Sequence, residues 1–278
     1  NLYNSLHRTL GDLPDWLEVY PAHGQGSLCG KGMSAKPSST LGYERLANPR
    51  LQLSDFDAFK ADIMGNLPMR PQSFSHIIAT NIKGAPLLET RDQTRQALSP
   101  GQVNDLREEG AVVLDLRPAS DFGAGHIPGS INVDVGPAVS VNWIGTAVRP
   151  GAALVLVLPH EADFPARLTE LRRIGYDDVR GYLKGGITAW QAAGKDVGTI
   201  THIAPGDLEK RLAAPEPALI MDVRSPQEYE SSHLPGAVNV PFDKIVHAEE
   251  CHADPTIERI VVCQSGYRAA IAASLMLA

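Results

Sequence analysis

The stretch of sequence that decides the fold is present twice. Residues 115–133 read DLRPASDFGAGHIPGSINV, and residues 222–240 read DVRSPQEYESSHLPGAVNV. The Asp-x-Arg, His-x-Pro-Gly and Asn-Val positions of the two stretches coincide when the first is displaced by 107 residues, from 115 to 222. Self-similarity at a fixed offset indicates a repeated structural unit. The chain therefore contains two copies of one domain, which we name copy one (residues 89–198) and copy two (residues 199–278).

Both copies alternate predicted strands with predicted helices. Short apolar runs predict buried strands at 111–116, 154–158, 179–183, 218–223 and 260–262. Helix signals separate these runs, such as Ser99 followed by Pro100, which is typical of an N-cap and a first-turn proline. This alternation indicates an α/β fold with a mainly parallel sheet in each copy. The same offset places the equivalents of copy one's last strand and helix beyond residue 278, so we expect copy two to lack them.

Composition excludes several classes of partner. The chain has 278 residues, 43% of them hydrophobic, and a formal net charge of -7, which argues against nucleic-acid and anionic-membrane partners. Its longest apolar runs are too short to cross a bilayer. Three cysteines without paired spacing fit a reducing compartment, so we expect a cytoplasmic protein. The chain starts without Met and stops within a predicted helix, so we expect it to be part of a longer protein.

A cysteine follows the last predicted strand. Residues 261–270 read VVCQSGYRAA, so Cys263 lies between a β-branched run and a predicted helix that begins at Tyr267. In this position the loop N–H groups and the helix N-terminus are directed at the sulfur and favour the thiolate. Arg268 adds a permanent positive charge, and Gly266 permits the backbone to curl. The sequence therefore predicts a nucleophile here rather than a core cysteine.

The Cys-x-x-Gly-x-Arg loop, together with the Asp-Val-Arg and His-x-Pro-Gly segments, resembles the rhodanese family of sulfurtransferases over residues 99–278. The resemblance implies that Cys263 accepts a sulfane sulfur as a persulfide, with Arg268 as its catalytic partner. The implied substrate-binding residues are Gln264, Ser265, Gly266, Tyr267 and Arg224. Thiosulfate, sulfite and thiol persulfides are the implied partners. Cysteine phosphatases have five residues between Cys and Arg, and the four found here argue against phosphate as the substrate.

Other recurring residues have structural interpretations. Copy one has Leu158-Pro-His-Glu-Ala-Asp163 where copy two has its cysteine loop, so it offers no nucleophile and we expect it to be inactive. Because the Asp-x-Arg pair recurs in this inactive copy, we expect both pairs to anchor loops, with Arg224 as an added candidate for binding an anionic donor. His126 and His233 belong to a turn rather than to a metal site.

The first 88 residues lie outside the repeat. A predicted strand at 17–20 ends in Pro-Ala-His-Gly, and a Gly/Ser-rich stretch and a predicted helix at 54–64 follow. This segment resembles the C-terminal part of the metallo-β-lactamase αββα fold, and within it the one-iron persulfide dioxygenase branch. His23 matches that family's last metal-site histidine, for which a pocket-lining role is expected over coordination. The family's His-x-His-x-Asp-His motif is absent, so no cofactor is expected in this chain, whereas non-haem Fe(II) is implied for the full-length dioxygenase domain.

The resemblances together predict a persulfide dioxygenase–rhodanese fusion of sulfide detoxification, with domains at 1–88, 89–198 and 199–278. Two alternatives stay open: a sulfur carrier or docking module that does not turn over, and a lactamase-fold thioester hydrolase similar to glyoxalase II. A homo-oligomer is also left open. Cys251 is expected to be a loop thiol, and no role is assigned to Cys29.

Overall fold

The structure is a computed structural model that describes residues 1–22, 36–65, 70–85, 97–136, 140–212, 218–247 and 258–278. The chain divides into two compact units, Asn1–Met69 and Arg70–Ala278. The second unit contains both copies of the repeat. Across the described residues, no helix combines the length and the apolar character that a membrane span requires.

The first unit is mainly helical. Helix α1 (Leu2–Asn4) continues as a π-helical turn (Ser5–Thr9). The strands β1 (Glu18–Val19) and β2 (Ser39–Thr40) pair antiparallel. Helices α2 (Leu41–Ala47) and α3 (Phe56–Gly65) follow. Thr40 caps α2, since its side chain accepts a hydrogen bond from the Tyr43 N–H at 3.3 Å.

Copy one forms a five-stranded sheet in which every strand is parallel to its neighbours. Its strands are β3 (Ala97–Leu98), β4 (Val112–Asp115), β5 (Ile131–Asn132), β6 (Leu154–Val157) and β7 (Val179–Leu183), in the spatial order β3-β7-β6-β4-β5. The helices of this part of the chain are α4 (Ser73–Lys83), α5 (Pro100–Glu108), α6 (Ala119–Ala124), α7 (Ser140–Ala147), α8 (Phe164–Arg173) and α9 (Gly186–Ala192).

The core of copy one explains why its strands are apolar runs. All four residues of β6 are buried, as expected for a central strand of a parallel sheet that has helices on its faces. Val103 of α5 and Trp190 of α9 pack in the same cluster as residues of β4, β6 and β7. The predicted cap of α5 is confirmed, because the Ser99 hydroxyl and the Gln102 side chain form a reciprocal capping box.

Copy two repeats the centre of this sheet. Its strands β8 (Leu219–Asp222), β9 (Val238–Asn239) and β10 (Arg259–Val262) are parallel in the order β10-β8-β9, which matches β6-β4-β5 of copy one. The helices are α10 (Pro205–Leu212), α11 (Pro226–Ser231), α12 (Phe242–Val246) and α13 (Tyr267–Leu277). The predicted α/β class with mainly parallel sheets is confirmed. The predicted domain boundaries stay predictions.

Candidate active site

Cys263 lies where the sequence predicts it, between a strand and a helix. Strand β10 ends at Val262 and helix α13 begins at Tyr267. The cysteine is a free thiol of intermediate exposure, and the loop residues Gln264 to Gly266 are exposed. Gly266 occupies the N-cap position with φ 86°, a left-handed conformation that a side chain disfavours. The loop is therefore open to a small substrate and depends on its glycine for its shape.

Arg268 joins this loop to helix α11. Its guanidinium donates two hydrogen bonds to the Glu228 carboxylate, at 2.8 Å to Oε2 and 2.7 Å to Oε1. The nearby Cys263 side chain also contributes, after Glu228, to raising the pKa of Arg268. The paired guanidinium lowers the pKa of Glu228 to about 2, and the same hydrogen bonds raise the pKa of Arg268. Arg268 thus stands between the thiol and a carboxylate that stays ionised at neutral pH.

Glu228 is held in place by the cap of its own helix. Ser225 donates to its Oε2 from the backbone at 3.0 Å and from the hydroxyl at 2.9 Å. The Glu228 N–H donates back to the Ser225 hydroxyl, which completes a capping box. Sequence reasoning missed Glu228 as a site residue. The Ser-x-x-Glu pattern was the available signal, but a capping box explains that pattern without any role in the site.

Arg224 is engaged with protein groups. Its guanidinium binds Asp222 in a bidentate pair, with Nε to Oδ1 at 2.9 Å, and donates to the Ser232 carbonyl at 2.6 Å. The equivalent Arg117 of copy one makes the same contacts with Asp115 and with the Gly125 carbonyl, at 2.9 Å each. The expected loop-anchoring role of both pairs is thereby confirmed. A role of Arg224 in binding an anionic donor stays a prediction.

The two repeated histidines are turn residues, as the sequence indicates. Nδ1 of His126 lies 3.0 Å from the Phe122 carbonyl oxygen, and the two rings stack at 4.0 Å. Nδ1 of His233 lies 2.8 Å from the Tyr229 carbonyl oxygen, with the rings stacked at 3.9 Å. Burial lowers the pKa of His126. Both imidazoles therefore fasten the turn to the helix before it.

Strand pairing identifies the equivalent of the cysteine loop in copy one. Val262 pairs with Asp222 in copy two, and Val157 pairs with Asp115 in copy one, so Leu158 occupies the position of Cys263. A short 3₁₀ turn (Glu161–Asp163) replaces the loop. The Glu161 carboxylate accepts a hydrogen bond from the Gly185 N–H at 2.6 Å and lines a cavity of about 260 Å³. In copy one the strand-end region therefore contains a fixed negative charge and no thiol.

Three residues singled out in the sequence lie outside the described residues: His23, Cys29 and Cys251. Among the residues that the structure does describe, no group of three His, Cys, Asp or Glu side chains could hold a metal ion. The prediction that this chain binds no iron stays a prediction.

Of the remaining loop residues, Tyr267 points toward copy one. Its hydroxyl donates a hydrogen bond to the Asp134 carbonyl at 2.8 Å, and burial raises its pKa. The loop thus brings together Cys263 and Arg268, with Gln264 to Gly266 exposed beside them. A thiol that is accessible and adjacent to a guanidinium can attack an electrophilic sulfur and carry it as an anion.

Comparison with known proteins gives one matching family. The model of the rhodanese-like domain matches residues 99–193 and 204–278. Thiosulfate sulfurtransferase GlpE of Pseudomonas aeruginosa is 35% identical over 99 residues, which cover 36% of this chain and 86% of that protein. A second protein of that organism, named thiosulfate sulfurtransferase, is 29% identical over 177 residues, covering 46% of this chain and 62% of its own length.

Among solved structures, a protein longer than this chain is similar to about two thirds of it. The crystal structure of a metallo-β-lactamase from Staphylococcus aureus is 29% identical, with a TM-score of 0.51. The match covers 65% of this chain and 48% of that one, so this chain spans about half of its length. A protein that combines a lactamase fold with rhodanese-like domains fits these findings together.

Proposed function

The chain belongs to the rhodanese-like domain family, and from this premise we propose that copy two is a sulfurtransferase that carries a sulfane sulfur on Cys263. The observation that carries the proposal is the loop between β10 and α13, where the thiol lies next to Arg268 and the neighbouring residues are exposed. The named thiosulfate sulfurtransferases among the relatives support the same chemistry. Copy one lacks a thiol at the equivalent position and serves as a structural partner.

The proposed reaction has two steps, each a displacement at sulfur. The Cys263 thiolate attacks the outer sulfur of thiosulfate, the S–S bond breaks, and sulfite leaves with the bonding electron pair. The enzyme now carries a persulfide anion. A nucleophilic acceptor such as cyanide or a thiol then attacks the terminal sulfur, which regenerates the thiolate. No net oxidant or reductant is consumed when cyanide is the acceptor, and the mechanism predicts ping-pong kinetics.

Arg268 and Glu228 have separate parts in this scheme. The guanidinium stabilises negative charge on the cysteine before transfer and on the persulfide after it. The Glu228 carboxylate holds the guanidinium in a fixed orientation through two hydrogen bonds, so that its charge is directed from the outset. Glu228 is therefore a positioning residue, whereas Arg268 contacts the reacting group.

The larger proposal is a fusion of these rhodanese domains with a persulfide dioxygenase that acts in sulfide detoxification in the cytoplasm. The lactamase-fold neighbour and the sequence resemblance of residues 1–88 support it. In that fusion the dioxygenase domain of the full-length protein would use non-haem Fe(II), with O2 as the oxidant and water, to convert a thiol persulfide to sulfite and the free thiol. Sulfite is an acceptor for the Cys263 persulfide and yields thiosulfate. The described residues contain no three-ligand metal group, and the sulfur-transfer steps need only the thiol chemistry of copy two.

The test is steady-state formation of thiocyanate from thiosulfate and cyanide. We expect many turnovers per chain, double-reciprocal plots with parallel lines, and complete loss of transfer in Cys263→Ala. A sulfur carrier, the competing function, would release one equivalent and stop. Transfer that survives Cys263→Ala would show that the proposed site is wrong. A thioester hydrolase would instead cleave an acyl-glutathione without any dependence on Cys263.

A further inference from the structure

Helix α13, which starts directly after the cysteine loop, packs against strand β5 of copy one. Two hydrogen bonds join α13 to β5 and to the segment that directly follows β5. The Tyr267 hydroxyl donates to the Asp134 carbonyl at 2.8 Å, and the Asn132 N–H donates to the Ser274 hydroxyl oxygen at 3.0 Å. Ser274 follows Tyr267 by seven positions, about two helical turns, so both lie on one face of α13. This face is fixed to the copy that has no nucleophile.

Aromatic side chains extend the contact beside the loop. The Trp143 ring of α7 lies edge-on to Tyr267, with ring centroids 6.3 Å apart, and edge-on to Phe242 at 5.1 Å. Phe242 is buried at the start of α12, and α12 packs against α13. Copy one therefore supplies both a hydrogen-bond acceptor and an aromatic surface to the first residue of the helix that follows Cys263.

The Tyr267–Asp134 hydrogen bond is made by a residue next to the loop that contains Cys263. Tyr267 is the first residue of α13. It is preceded by Gly266, which has a left-handed conformation, and followed by Arg268. The N–H groups that stabilise a thiolate at a strand-to-helix loop belong to this same segment. Burial of the tyrosine raises its pKa, so its hydroxyl stays protonated and remains a donor at neutral pH.

We propose that the Tyr267–Asp134 hydrogen bond sets the position of the Cys263 loop, so that copy one is part of the scaffold of an active site it does not itself contain. Tyr267 is then a positioning residue, where the sequence predicts a substrate-binding one. The proposal deepens the proposed sulfur transfer and rests on it for its functional meaning. The positioning of the loop can be tested separately from sulfur transfer, through the reactivity of the Cys263 thiol.

Tyr267→Phe removes the hydroxyl and keeps the ring, and Tyr176→Phe is the matched control. The Tyr176 hydroxyl also donates to a backbone carbonyl, that of Val148, at 2.5 Å, but both residues lie within copy one. Both substitutions delete one hydroxyl and leave one backbone carbonyl without its side-chain donor, in a part-buried contact for Tyr267 and a buried one for Tyr176. A purely structural effect on stability is therefore common to the two variants, whereas an effect on the loop belongs to Tyr267→Phe alone.

The first measurement is the rate of Cys263 alkylation by iodoacetamide across a range of pH. We expect Tyr267→Phe to slow alkylation about three- to tenfold near neutral pH, which is the size of effect that one hydrogen bond can transmit. The difference should shrink at high pH, where a cysteine is ionised whatever its surroundings. Tyr176→Phe should react within about twofold of the unsubstituted protein at every pH.

The second measurement is sulfur transfer from thiosulfate to cyanide, for which we expect Tyr267→Phe to lower kcat by a similar factor. Equal alkylation and equal transfer in all three proteins would overturn the proposal, as would equal losses in both variants. If Tyr267→Phe does not fold, Trp143→Phe weakens the same contact and should show a smaller change in the same direction. An unsubstituted protein that transfers no sulfur would refute the proposed function, while the alkylation rates would still decide whether the bond positions the loop.

Discussion

Copy one and copy two anchor their first loop in the same way and then differ at the second. In each, an arginine binds the carboxylate two residues before it and a carbonyl eight residues after it. The next loop along the sheet contains Cys263 and Arg268 in copy two, but Leu158 and Asp163 at the paired positions in copy one. The anchor therefore belongs to the fold, since it persists without chemistry. We expect the proposed chemistry to depend on the six residues from Cys263 to Arg268 at the end of β10.

The acidic residue of the first helix shows the same contrast. Glu228 of α11 binds Arg268. Its counterpart in copy one, Asp121 of α6, is exposed. The position of Arg268 is occupied in copy one by Asp163. In copy one, the Glu161 carboxylate instead accepts a hydrogen bond from the Gly185 N–H. The carboxylate is paired with an arginine in copy two, whereas in copy one it lies at the strand end without one beside the loop position. We therefore expect copy two, and not copy one, to accept an anionic sulfur.

The largest effect on this contrast is expected from Arg268→Ala. Removing the guanidinium deletes the charge beside the thiol and leaves the Glu228 carboxylate unpaired, so we expect sulfur transfer to fall by about 10²-fold or more. The measurement is kcat/KM for thiosulfate. Asp163→Ala, the substitution at the equivalent position of copy one, is the control and should leave kcat/KM within about twofold. Equal losses in the two variants would remove the distinction between the copies.

A change of loop length should have the next largest effect. Inserting one glycine after Ser265 moves the loop N–H groups away from the sulfur, and such groups act only near ~2.7–3.1 Å from the charge they stabilise. We expect about a tenfold or greater loss of sulfur transfer, measured with thiosulfate and cyanide. The parent protein should not hydrolyse p-nitrophenyl phosphate. Cys263-dependent hydrolysis at a rate comparable to sulfur transfer would contradict the assignment to sulfur over phosphate.

The smallest expected effect concerns acid stability. The folded-state pKa of Glu228 is about 2, below the ordinary value of 4.5, because Arg268 donates two hydrogen bonds to it. Its contribution is therefore present above pH 4.5 and lost as the pH falls toward 2. The carboxylate side chain is 39% exposed, so solvent screening reduces this contribution to ~1 kcal/mol.

Urea unfolding at about pH 6 and about pH 2 measures this contribution as a free energy of unfolding. Glu228→Gln should lower the free energy at the higher pH and have little effect at the lower one. Asp121→Asn, at the matching position of copy one, should have no comparable pH-dependent effect. A Glu228→Gln protein with the same acid sensitivity as its parent would show that the Arg268 pair contributes nothing to stability.

The repeat predicted most of the fold, because the two copies reinforce weak local signals. Strands β4, β6, β7 and β8 lie within the predicted apolar runs, β10 begins one residue before its predicted run, and the cysteine loop lies between strand and helix as predicted. Strands β5 and β9 contain two residues each, too few for a periodic pattern. The contact of Tyr267 with Asp134 joins residues 133 positions apart, and no local pattern encodes it. Sequence reasoning therefore located the cysteine loop but not the contacts that Tyr267 makes with Asp134 and Arg268 makes with Glu228.

The most direct test of the central claim, that copy two alone carries the chemistry, is to locate the transferred sulfur. The protein is treated with thiosulfate, freed of excess reagent, alkylated and digested, and the persulfide is mapped by mass spectrometry of the peptides. We predict one added sulfur atom per chain, on Cys263, which cyanide removes. A persulfide found instead on Cys29 or Cys251, or a Cys263 peptide without added sulfur in a protein that still turns over, would contradict it.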